Sequence, residues 1–191
     1  MKYIFAIFVI ILTTIGCENK TNSNEAELIK VGYYPPFIQH FEIIANLKNK
    51  SLIFYNPSKY SIPPPPPPQK NASEKDLELR LEEHQKFINE NPKIQPEYLQ
   101  LNDEDINAIQ KIITSFIEKD FQEDENKYPV IDGGNTNTVI LLKNHKVFSI
   151  GGYVGTNTDK ELELTSKIFS LFKSKSKSKI NKGYIKKLER R

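Results

Sequence analysis

The side chains able to do chemistry in this 191-residue chain are few, and their spacing decides against most of it. Its three histidines, His40, His84 and His145, fit no Glu-x-x-His or His-x-x-x-His arrangement, which would put two ligands on one helix face. No Gly-x-Ser-x-Gly elbow is present to expose a serine nucleophile. Asp132-Gly133-Gly134-Asn135-Thr136-Asn137 combines oxygen ligands with permissive backbone, as a calcium loop does. A calcium loop, however, needs glycine sixth and a carboxylate twelfth, and here the glycines come second and third and Lys143 stands twelfth. The segment reads as a turn leading into a strand. Gly151-Gly152-Tyr153-Val154-Gly155 lies between a predicted strand and a predicted helix, where backbone amides can cradle phosphate. It lacks the dinucleotide and P-loop spacings and reads as a bulged strand end. The many carboxylates fall on charged helix faces, where solvation accounts for them. No metal, cofactor or catalytic residue is expected. An enzyme acting on cell-wall or glycan substrates is the alternative, and would need dispersed acids such as Asp132 to converge in a cleft.

The one remaining reactive group is Cys17, the single thiol. It ends an apolar run from Tyr3 to Ile15 preceded by Lys2. As a helix that run reaches roughly 20 Å, short of the roughly 30 Å of a bilayer core, so it reads as an export signal. Thr14-Ile15-Gly16-Cys17 resembles the bacterial lipobox. The resemblance implies that residues 1–16 are a signal peptide, that Cys17 takes a diacylglyceryl group, and that the chain is cut before it. With its Asn-, Lys- and Ile-rich composition the chain is similar to small lipoproteins of the Bacteroidetes group. That likeness implies export and a membrane anchor, with the outer membrane as the expected site, facing the periplasm or the surface; it implies no activity. Each buried CH₂ contributes about 0.8 kcal/mol, so two or three acyl chains anchor firmly where one does not. A thiol consumed in this way leaves none for a disulfide or a zinc site.

Behind the anchor, residues 17–26 read as a flexible tether and 27–172 as one α+β domain. Leu28–Tyr34 suits a short strand. Phe41–Ala45 with Leu52–Tyr55, and Thr138–Leu142 with Val147–Ile150, read as two hairpins joined by polar turns. Between them the apolar period lengthens to that of a helix. Leu77, Leu81, Phe87 and Ile88 follow Ser73 as N-cap and stop at Asn91-Pro92. Ile106, Ile109, Ile112, Ile113, Phe116, Ile117 and Phe121 make a wider stripe behind Asn102. A third helix opens at Thr158 with Glu161 positioned for a capping box. The expected fold is a small antiparallel sheet of two hairpins, four to five strands, covered on one face by about three helices. Six prolines, Pro63–Pro68, form a loop whose stiff left-handed helix would span roughly 19 Å and act as a spacer.

The net charge of +3 conceals a division. Residues 173–191 hold nine basic side chains and one acid, while residues 17–172 are net acidic. Lys173, Lys175, Lys177, Lys179, Lys186 and Lys187 are therefore candidate surface-binding residues for an anionic polymer, an envelope protein or anionic lipid headgroups. Nucleic acid suits the charge but not the compartment. The whole reads as a non-enzymatic, membrane-tethered binding module, an assembly factor or an immunity-type protein.

Overall fold

The computed structural model describes residues 24–35, 39–58, 73–121, 135–153 and 158–189. Six strands, β1 (Ala26–Tyr34), β2 (Phe41–Asn46), β3 (Ser51–Tyr55), β4 (Glu97–Gln100), β5 (Asn135–Leu142) and β6 (Val147–Tyr153), form one antiparallel sheet. Four α-helices accompany it: α1 (Glu74–Glu90), α2 (Asp103–Thr114), α3 (Asp159–Lys175) and α4 (Lys179–Glu189). The α+β architecture is the expected one, but the sheet has one strand more than the upper expectation. The addition is β4, four residues whose burial merely alternates between partial and none. Its pairing with β3, Leu52 opposite Leu99, supplies what its own sequence does not.

The strand order β4-β3-β2-β1-β5-β6 puts β1 at the centre, between both hairpins. The register sorts side chains onto two faces. Ile29, Val31 and Tyr33 of β1 lie opposite Ala45, Ile43 and Phe41 on one side and opposite Ile140, Thr138 and Thr136 on the other. This face carries the core: Phe41 stacks on Phe54, Phe54 on Phe172 of α3, and Phe169 of α3 meets Phe41 edge-on. Burying an aromatic or large aliphatic side chain contributes about 1.5–3 kcal/mol, so this layer dominates stability. α2 adds Ile109 and Ile113, both fully buried, and packs on α3.

Three local expectations are revised. The stripe from Ile106 to Phe121 is not one helix: α2 ends at Thr114, and Phe116 and Phe121 pack on each other across a short 3₁₀ turn, Glu118–Phe121. The glycine pair in β6 causes no bulge, since Gly151 and Gly152 stay in register with Asn137 and Thr136. The irregularity lies in β1 instead, between Ala26 and Leu28. At Thr158 only half of the capping box forms. Thr158 accepts from the Glu161 amide, but the Glu161 carboxylate turns inward and accepts from Thr138 Oγ1 at 2.8 Å, almost fully buried.

Candidate functional site

The basic segment from Lys173 belongs to the folded domain. Lys173 and Lys175 fall in the last turn of α3, Lys177 lies in the short link after it, and Lys179, Lys186 and Lys187 belong to α4, whose Tyr184 and Ile185 are buried. α4 is held by a polar knot. Asn181, completely buried, donates from Nδ2 to the Gln95 carbonyl (2.9 Å) and Glu97 Oε2 (3.0 Å), while its Oδ1 accepts from the Gln95 amide. Glu97 also accepts from Ser176 Oγ and from the Lys177 amide. Burial alone would raise the Glu97 pKa, but these donors outweigh it and hold the carboxyl below its ordinary range. Gln39 completes the seam: its Nε2 donates to the Pro92 carbonyl and to Tyr184 Oη, both at 2.8 Å.

The candidate lysines therefore do not form one equivalent patch. Lys175 pairs with Asp105 of α2 at 2.7 Å and is largely covered. Lys187 donates to the Glu90 carbonyl at 2.7 Å and lies over the Tyr184 ring. Lys177, Lys179 and Lys186 are exposed, whereas Lys173 is half-buried. Between the end of α1 and α4 lies a cleft of about 300 Å³, lined by Asn89, Glu90, Pro92, Lys179, Ile180, Gly183, Tyr184 and Lys187. A second cleft, of about 510 Å³, opens beside the first residues of β1. Of its cations Lys48 is engaged by Glu27 at 2.8 Å, and Lys143 by Glu25.

The other face of the sheet carries a cluster that sequence reading missed. One row across the strands reads Tyr55, Glu42, Gly32, Asn137, Gly151. Glu42, 6% exposed, accepts from Tyr34 Oη and from Lys30 Nζ (3.3 Å) on Oε1, and from Tyr55 Oη on Oε2. Burial pushes its pKa up, yet the two hydroxyls and the ammonium outweigh burial and keep it ionised. The same contacts act on the phenols: burial and the neighbouring carboxylate raise Tyr34 and push Tyr55 up to about 12. Gly32 leaves the space over which the Tyr34 ring folds, and a Cβ there would push that ring aside. Beside it, Asn137 Oδ1 is buried without a hydrogen-bond partner among the described residues. Leu28, Ile44, Ile53, Val139 and Leu141 stand half-buried around this row, with Tyr98 (63%) and Val147 (60%) exposed. Only the register joins these residues. A signal was nonetheless present, since Tyr34, Glu42 and Tyr55 all occupy the non-core phase of the alternation.

No group of three or more potential metal ligands occurs among the described residues. His40 Nδ1 faces Ser58 Oγ at 3.1 Å, His84 is half-buried on α1, and His145 sits in the β5–β6 turn with φ 64°. Cys17, the proline run, Asp132 and Gly155 lie outside the described residues. No family model, curated protein or solved structure matches the chain.

Proposed function

We propose that this chain is an envelope lipoprotein, anchored through acylated Cys17, whose domain is a non-enzymatic binding module using the sheet face around Glu42. The observation that carries this reading is the state of that carboxylate. A general acid or base needs a free lone pair and a pKa raised towards neutrality; Glu42 has donors on both oxygens and a lowered pKa. It orients two tyrosines on a half-apolar face, and tyrosine offers large contact area at small entropic cost. That arrangement suits holding a protein or an envelope polymer and does not suit bond cleavage.

Two measurements test the proposal separately. Radiolabelled palmitate should enter the wild type and fail to enter Cys17→Ala; equal labelling of both removes the anchor. Capture from crosslinked envelopes should recover a partner that is lost with Tyr98→Glu plus Val147→Glu, both on exposed positions of this face. A partner retained by that variant would move the binding function elsewhere.

A further inference from the structure

Helix α1 is anomalous in this fold: none of its seventeen residues is buried. An isolated helix of that length is marginal in water, since most helical stability comes from packing an apolar face. Leu77, Leu79 and Leu81 are 39%, 54% and 58% exposed. Six acids against three bases give α1 a net charge of −3, and Glu74, Glu78 and Glu82, at i, i+4 and i+8, form a row beside Leu77 and Leu81.

The cleft beside α4 has a mainly opposite character, with Lys179 and Lys187 in its lining against one acid, Glu90. Its floor is Ile180, Tyr184 and Pro92, notched at Gly183, where an added Cβ would meet nothing within 4 Å. Lys179 and Lys187 stand at its two ends, eight residues apart on the helix, the same spacing of about 12 Å as Glu74 to Glu82. The chain cannot fill this cleft with its own leucines. The last turn of α1 already lines it, and Leu81 lies eight residues, about 12 Å, further up the same rigid helix.

We propose that α1 of one copy docks into the α4 cleft of a second copy, reciprocally, making an exchanged dimer. Leu77 and Leu81 enter the notch at Gly183 beside Ile180, and the acidic row of α1 lies along Lys179 and Lys187. Charge selects this pairing over α1 against α1, which would set two helices of net −3 together. The contact is isologous and closes on itself, so it ends at two chains.

The test uses the full chain in its envelope. Leu81→Cys combined with Ile180→Cys should give a disulfide-linked dimer on mild oxidation, and each single variant should give at least about fivefold less. Dimer of equal yield from Leu81→Cys alone would mean that α1 meets α1. A conjugate of any mass other than two chains would put another protein's helix in the cleft. Either result, or no conjugate at all, overturns the proposal. Charge reversal gives the second readout. Because like charges across an interface cost several kcal/mol, Glu78→Lys/Glu82→Lys and Lys179→Glu/Lys187→Glu should each weaken association at least about tenfold. Combined in one chain they should restore it, and failure to restore would also overturn the exchange.

Discussion

Asn181 joins parts of the chain 84–86 residues apart, and Glu42 joins three neighbouring strands through partners 8–13 residues away. The folded pKa of Glu42 lies below its unfolded value, so its contribution to stability is complete above the unfolded value of about 4.3 and is lost as pH falls through the folded one. Glu42→Gln should therefore flatten the acid limb of stability against pH, read from urea midpoints between about pH 2 and 5. At neutral pH it should cost about 1–3 kcal/mol, the range for a charged hydrogen-bonding group. An unchanged acid limb would mean that Glu42 is not the group responsible. Asn181→Ala should cost as much or more, about 2–4 kcal/mol, because it strips a buried amide and leaves the Gln95 backbone and one Glu97 bond unpaired. At the hairpin tip, His145 holds φ 64°, a region that strains a residue bearing a Cβ. His145→Gly should raise stability by about 0.5–1 kcal/mol, visible as a higher thermal midpoint.

The helices differ in what holds them, and their caps offer a way to measure it. Ser73 caps α1 and Asn102 caps α2 with the same reciprocal box. Asn102→Ala should lower global stability by about 1 kcal/mol, because α2 buries Ile109 and Ile113 in the core and unfolds with it. Ser73→Ala removes an equivalent bond from a helix with no fully buried residue. It should speed amide exchange within α1 while leaving the global urea midpoint within about 0.3 kcal/mol. Both caps, the ends of α1 and both hairpins were legible in the residues, because each rests on signals within a few positions of one another. What depends on distant residues was not. β4 acquires its pairing from β3, the inward turn of Glu161 requires Thr138, and the order of α4 requires Gln95 and Glu97. A lysine-rich stretch is indistinguishable from a solvated tail until Asn181, Tyr184 and Ile185 are seen to have a destination. The cluster around Glu42 was hidden because its partners, 8–13 residues away, meet only through the register of three strands.

At the scale of the molecule the two ends of the sheet differ. Ala26, the β2–β3 turn and the β5–β6 turn share one end, next to Asn24. α4 is fastened at the other, through Gln95, Glu97 and Pro92. β1, nine residues at about 3.3 Å each, sets the ends roughly 30 Å apart. If the α4 end meets a protein rather than lipid headgroups, anionic vesicles should bind the full chain no more tightly when the exposed Lys177 and Lys186 are present than after both are changed to Gln; a clear loss on substitution would favour the lipid. The central place of β1 has a kinetic side as well. Its residue Ile29 pairs with Ala45 nearby and with Ile140 far along the chain. Until β5 has been made, the strand with the longest row of hydrogen-bonding groups has one edge bare, and closing so long a loop is the slow kind of step. The sheet can consequently close around β1 only once most of the polypeptide is available, a delay that would suit the export proposed above.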